Sequence, residues 1–241
     1  MRNRTILVTG PTSGIGREVA RLLCNDGHTV IGAARRVRRP RFASAQFFPV
    51  RLDLADPESV QSLTRRLPHT LVRRIDALIN VAGSDVGGLQ PFTESSAGDV
   101  LHTVVTNLTG LVLLTRSLVP LLADRRFADI INVTSLNAIQ PAPRLAAYSA
   151  AKAGVHGFTA ALRREMAGTG VRVSEILPGM TRTGFAEARW RGDKARARDY
   201  YASMEGALRA GDVARAVVFC LYQPRSVTVS ELAIVPTRRP G

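Results

Sequence analysis

The sequence predicts an α/β fold of the doubly wound (Rossmann) kind, a parallel sheet of about seven strands with helices on both faces. Three observations predict it. Short β-branched runs alternate with helical stretches nearly from end to end. Those runs are apolar on both faces, as strands buried beneath helices must be. A glycine-rich turn, Gly10-Pro-Thr-Ser-Gly14-Ile-Gly16, joins the first run to the first helical stretch.

In order, the strand-like runs are TILVT (5–9), TVIGAA (29–34), FFPVRLD (47–53), DALIN (76–80), DIINVTS (129–135), VRVSEIL (171–177) and ELAIV (231–235). The first helix is expected to begin near Ile15 and to stop at Gly27, since glycine readily takes the left-handed exit from a helix. Asp56-Pro57-Glu58 sets an N-cap residue, a first-turn proline and a first-turn acid in sequence. The stretch 146–170 reads as a long helix ended by glycines, and Asp212 is expected to cap the last helix, VARAVVFCLY. Such alternation implies right-handed crossovers. No repeat, low-complexity tract or linker interrupts it, so residues 1–241 are expected to form one domain.

The 241 residues are 45% hydrophobic, enough for one substantial core. No run of about 18 apolar residues occurs. No apolar leader precedes the first strand, and the expectation is a cytoplasmic protein that engages no membrane. Cys24 and Cys220 lie in apolar or helical runs and are expected to be buried and reduced. The net charge of +14 raises nucleic acid as a partner. Yet only Lys152 and Lys194 of the 33 basic residues are lysines, and the arginines are scattered rather than gathered in a stripe. No aromatic residues interleave with them as a base-stacking surface requires, so nucleic acid is not expected. The positive balance suits a small anionic ligand instead.

The glycine loop says which. A helix N-terminus presents unpaired N–H groups and the positive end of its dipole to an anion. Gly10, Gly14 and Gly16, with Thr12, Ser13 and Ile15, are expected to bring that backbone against a dinucleotide pyrophosphate. An NAD site carries an acid at the end of the second strand to hold the ribose. Here Ala34 stands in that place and Arg35 and Arg36 follow it. The missing acid removes a repulsion, and guanidinium suits a 2′-phosphate, so NADP(H) is expected over NAD(H).

Tyr148 and Lys152 fall one turn apart on the long helix, Ser135 closes the fifth strand, and Asn107 lies in the helix before it. With the spacing Thr-Gly-x-x-x-Gly-x-Gly, this constellation resembles the short-chain dehydrogenase/reductase family, in its compact one-domain branch, over essentially the whole chain. The resemblance implies hydride transfer between a nicotinamide and a carbonyl or alcohol, with no metal. Tyr148 would be the general acid/base, and Ser135 would hydrogen-bond the substrate oxygen. Lys152 would hold the nicotinamide ribose and lower the phenol pKa from its ordinary value near 10, and Asn107 would anchor a water. Asp53 and Leu54 would meet the adenine. Asn80, Ala82 and Gly83 match the family's Asn-Asn-Ala-Gly, with Val81 replacing the second asparagine. Pro178, Gly179, Thr181 and Thr183 would hold the carboxamide.

Residues 184–210 match the family's substrate lid, which here carries Trp190, Tyr200, Tyr201, Met204 and several arginines. Substrate contacts are expected from Ser135, Arg144, Tyr148, Met180, Phe185 and Trp190, with Arg144, Arg182 just before the lid, and Arg189 and Arg191 within it as receivers of a carboxylate. The stretch 185–201 resembles a subgroup acting on 3-hydroxy acids such as serine, a look shared by secondary-metabolite reductases of aldehydes and ketones. A non-catalytic NADP sensor shares the fold but has no need of Ser135, Tyr148 and Lys152 together. The resemblance also implies a homotetramer or homodimer, joined through the helices that bear Asn107 and Tyr148.

Overall fold

A computed structural model of the chain describes residues 3–37, 39, 40, 42 and 46–238. Seven strands form one parallel sheet: β1 (Thr5–Thr9), β2 (Thr29–Ala34), β3 (Phe47–Arg51), β4 (Ile75–Asn80), β5 (Ala128–Val133), β6 (Val171–Pro178) and, last in the chain, β9 (Glu231–Ile234). Their order is β3-β2-β1-β4-β5-β6-β9. The chain reverses direction across the sheet between β1 and β4, and in such sheets ligands bind in the crevice that opens there. Between β6 and β9 lies an element that the sequence reading lacks, β7 (Thr181–Arg182) paired in parallel with β8 (Leu208–Arg209). Two-residue strands are too short to leave a periodic pattern. Their pairing ties the start of the 184–210 segment to its end.

The helices are α1 (Gly14–Asn25), α2 (Pro57–Gln61), α3 (His69–Val72), α4 (Ala97–Val104), α5 (Gly110–Ala123), α6 (Ala146–Glu165), α7 (Phe185–Arg189), α8 (Lys194–Ala202) and α9 (Ala210–Leu221). On one face of the sheet α1 and α9 press Val19, Leu23, Val213 and Val217 onto Ile6, Val8, Ile79 and Ile131. On the other, Leu114, Leu118, Leu122 and Leu162 of α5 and α6 cover Leu7, Ile31, Leu78 and Ile130. Neighbouring residues of β1 thus belong to opposite cores, which is why the strand is apolar without alternation. Cys24 and Cys220 are buried in the α1–α9 layer.

Local chemistry sets the boundaries. Asp56 accepts from the Glu58 amide at 3.0 Å, capping α2 as expected. α9 begins at Ala210, so Asp212 is its third residue and not its cap. The Asp212 carboxylate reaches back to accept from the Arg209 amide at 2.7 Å, the acid's half of a capping box. β5 ends at Val133 because Ser135 turns the chain: its hydroxyl accepts from the Asn137 amide at 3.2 Å. Ala97–Ala123 is one continuous helical stretch of 27 residues, apolar and long enough to cross a bilayer by length and composition. Here it serves the core through its leucines. Its middle, Val105–Thr109, widens into a π turn that carries Asn107, and such turns gather at functional sites.

Candidate active site

At the carboxyl ends of β1 and β4 the glycine loop is built from close backbone contacts. Gly10 has φ +71°, and a Cβ on Gly16 would stand 2.2 Å from the Gly10 carbonyl oxygen. Ser13, at the N-cap of α1, makes no side-chain bond to the first turn. The N–H donors there are left to face the crevice, the arrangement that receives a phosphate. A Cβ on Gly14 would lie 3.0 Å from Cβ of Thr183, so the loop after β6 folds back onto the glycine loop. Arg35 and Arg36 are exposed just past the end of β2. These donors and cations fit a dinucleotide phosphate.

Thr9, which the sequence reading did not single out, holds this end together. Its hydroxyl accepts from the amides of Val81 and Ala82 at 2.9 and 3.0 Å, clamping the loop after β4 to β1. Asn80, the first residue of the motif at the end of β4, is buried. Its NH₂ group donates to Asn132 at 2.9 Å and Thr115 at 3.2 Å inside the fold, while its Oδ1 is buried without a hydrogen-bond partner among the described residues. Asp53 binds the Ala55 amide at 3.0 Å and shapes the turn in which Leu54 is buried.

Below this crevice opens a cavity of about 720 Å³ whose walls include Ile15, Gly83, Ser135, Tyr148 and Lys152. Pro178, Gly179, Met180, Thr181, Thr183 and Phe185 complete the expected residues that it brings together. Lys152 is only 3% exposed, and its ammonium donates to the Val133 carbonyl at 3.1 Å. Asn107, wholly buried, donates to the carbonyls of Ser84 and Thr103 at 2.5 and 2.7 Å and accepts from the Ser84 amide. A Cβ on Gly83 would strike the Asn107 carbonyl oxygen at 2.7 Å and approach the Lys152 nitrogen at 3.7 Å. Glycine is therefore what lets these two groups approach across the loop.

Burial dominates the electrostatics of the Tyr148–Lys152 pair. Burial pushes the Tyr148 phenol up to about 12, opposed by a hydrogen bond with Ser135. Burial also draws the Lys152 ammonium down to about 8. The lysine nitrogen lies over the tyrosine ring, 5.8 Å from its centroid. Desolvation therefore outweighs the lowering influence of Ser135 and Arg189, and the protein by itself favours the neutral phenol of Tyr148, a proton donor.

Two expected substrate residues stand outside the large cavity. Arg144, with φ +65°, borders a separate small recess beside Asp85, and its carbonyl accepts from the Leu89 amide at 3.0 Å. Trp190 stands behind Tyr200, ring centroids 5.1 Å apart, and is not a wall of the cavity. Of the arginines considered for a carboxylate, Arg189 is the one that reaches the cavity. It is 5% exposed, and its Nε donates to Asp85 at 2.7 Å. The rings of Phe185 and Tyr200 pack against its guanidinium at 5.6 and 5.4 Å. Asp85 lies 104 positions away in sequence, and nothing local marks it as a partner. Tyr201 is a second residue whose role was missed: its hydroxyl accepts from the amides of Thr183 and Ala186 at 3.3 and 3.2 Å.

The comparisons agree with this architecture. Residues 4–194 match the model of the short chain dehydrogenase family. The chain is similar to a sulfoacetaldehyde reductase of Chromohalobacter salexigens, 36% identical with 97% of this chain and 94% of the relative covered. A serine 3-dehydrogenase of Rhizobium radiobacter is 33% identical over 98% of this chain and 94% of its own length. Among solved structures, the closed form of a serine dehydrogenase complexed with NADP⁺ superimposes with a TM-score of 0.91 at 31% identity, covering 98% of this chain and 96% of that one. The parallel sheet, the glycine loop and the Ser–Tyr–Lys cavity thus occur together in a chain that belongs to the short-chain dehydrogenase family.

Proposed function

We infer that this protein is an NADP(H)-dependent oxidoreductase interconverting a small anionic hydroxy compound and its carbonyl form. The observation that carries the reading is the single cavity into which Ser135, Tyr148, Lys152 and Arg189 all open. Bound NADPH supplies the hydride in the reductive direction. Ser135 hydrogen-bonds the carbonyl oxygen as charge develops on it. Tyr148, held as a neutral phenol, donates its proton to that oxygen. Lys152 supplies positive charge beneath the ring and a donor for the cofactor ribose, and Asn107 braces the loop above it. The glycine loop with Arg35 and Arg36 takes the dinucleotide phosphates, and Asp53 with Leu54 borders its adenine end.

Arg189 sets the substrate class. One of its N–H groups is used by Asp85, which aims the guanidinium, and the remaining donors suit a carboxylate or sulfonate. Relatives named for serine and for sulfoacetaldehyde, each carrying such an anion, support this choice. Residues 184–210 act as a lid within one domain. The protein works in the cytoplasm as a homodimer or homotetramer, an assembly favoured by Leu101 of α4, which is 65% exposed.

The test is absorbance at the reduced-nicotinamide band. NADPH and NADH are offered with a panel of anionic and neutral carbonyls, and NADP⁺ with L-serine and other 3-hydroxy acids, beside Tyr148→Phe. Turnover with NADPH, favouring anionic members and lost in the variant, is expected. Tight NADPH binding without turnover on any panel member would overturn the assignment in favour of a sensor.

A further inference from the structure

One face of α6 continues past the pair already described. His156 follows Lys152 by one turn, as Lys152 follows Tyr148, so the three share a side of the helix. That side faces β6, where Glu175 is wholly buried. A carboxylate in such a place is rare, and it persists only when its oxygens are satisfied. Oε1 of Glu175 accepts from the Thr134 hydroxyl at 2.6 Å, and Oε2 pairs with Nδ1 of His156 at 2.9 Å. Thr134 stands between Val133, whose carbonyl holds the Lys152 ammonium, and Ser135. Glu175 is therefore bonded to the residue between two members of the site, and through His156 to the helix that carries two more.

We propose that Glu175, steadied by His156 and Thr134, is a positioning residue that sustains the positive charge of Lys152. The proposal rests on the role given to Lys152 above. A buried ammonium with a single carbonyl acceptor is costly, and an anion on the neighbouring strand offsets that cost through space. Glu175 is the charge that opposes the downward pull of burial on Lys152. Near His156 among the described residues stand Lys152 and Arg163, one and two turns away on α6, and Glu231 on β9, a carboxylate oxygen of which lies within 4.8 Å of a ring nitrogen of His156 and a carboxylate oxygen of Glu175. Glu231 is in register with Glu175 and lies 3.6 Å from Arg163. Arg163 thus partly offsets Glu231, while Glu175 is held by a hydroxyl and an imidazole.

The chain has only two lysines, Lys152 and Lys194, so the charge of Lys152 can be read directly. The experiment is a pH titration of the lysine ¹³Cε resonance in full-length protein labelled with ¹³C-lysine, assigned with Lys194→Arg. In Glu175→Gln, which keeps the shape and the acceptor for Thr134, the Lys152 midpoint is expected to fall by about one unit. His156→Arg sets a permanent cation against the carboxylate and should lower the midpoint by roughly half a unit, whereas His156→Gln should not lower it. The alkaline limb of NADPH-dependent reduction should move with the midpoint, and Glu175→Asp should restore most of the shift. An unchanged midpoint in folded Glu175→Gln overturns the proposal. Should that variant not fold, equal midpoints in His156→Arg and His156→Gln overturn it. A midpoint that moves while the rate profile stays fixed sustains the coupling and overturns instead the assignment of Lys152 to the reaction.

Discussion

The glycine crevice and the 184–210 segment meet at Thr183 but are built from different materials. The crevice is made of backbone: close approaches at Gly10 and Gly16, open helix amides at Ser13, and a threonine clamp from β1. The segment is made of side chains held by distant partners. Arg189 reaches Asp85, Arg191 reaches both oxygens of Asp99 at 2.8 Å, and Tyr201 gathers two amides at the segment's start. A backbone site tolerates almost no added atom, because its parts already touch. A side-chain site can lose one partner and degrade by the strength of that partner. The difference predicts an abrupt response in one region and a graded one in the other.

The largest effect is expected in the crevice. Gly16→Val places carbon atoms where the Gly10 carbonyl stands, and NADPH affinity measured by calorimetry should fall more than about 100-fold. Near-wild-type binding would show that the loop yields, and the contrast would collapse. Next comes Arg189→Met, made together with Asp85→Asn so that no buried carboxylate is left unpaired. The Michaelis constant for an anionic aldehyde should rise roughly 30-fold, about 2 kcal/mol, and that for a neutral one less than about threefold. Equal effects on both substrates would remove Arg189 from recognition.

A pH profile probes the ground between the two regions. The Lys152 pKa lies below that of an ordinary lysine, so its ammonium is lost as pH rises through about 8, while Tyr148, shifted the other way, keeps its proton. The reductive kcat/KM should therefore hold below pH 8 and fall about tenfold per unit above it. A profile flat to pH 10 would detach the lysine charge from the rate.

Smaller effects belong to the segment's outer supports. Tyr201→Phe strips the acceptor from two amides and should raise the substrate KM about fivefold, near 1 kcal/mol, with kcat changed less. Arg191→Ala removes a pair whose arginine is 60% exposed; water screens it, and KM should change no more than about twofold. If Arg191→Ala cost more than Arg189→Met, burial would not be what ranks these contacts.

Much of this was legible in the chain. The seven strands of the sheet lie where β-branched runs stand, because both faces of a parallel sheet are buried and apolar residues must fill them. The glycine loop was legible because close backbone approach permits only one residue type, and the Tyr148–Lys152 pair because helical spacing fixes one turn. The start of α9 lies three residues before the one that Asp212 suggests, since an acid can serve a helix start as a cap or as the third residue reaching back. Asn80 is legible only as part of a motif; that its NH₂ group donates to Asn132 and Thr115 depends on strand order and helix packing.

The sequence by itself determined the fold class, the dinucleotide crevice and the order of the reacting residues, all of which follow from local periodicity or from a residue type that alone can fit. Only the tertiary structure decided that Arg189 and not Arg144 opens into the cavity, that burial raises the Tyr148 phenol, and that Glu175 lies buried beside His156. Those facts depend on burial and on partners tens of residues apart, and desolvation has no signature along a chain until the chain has folded around the charge.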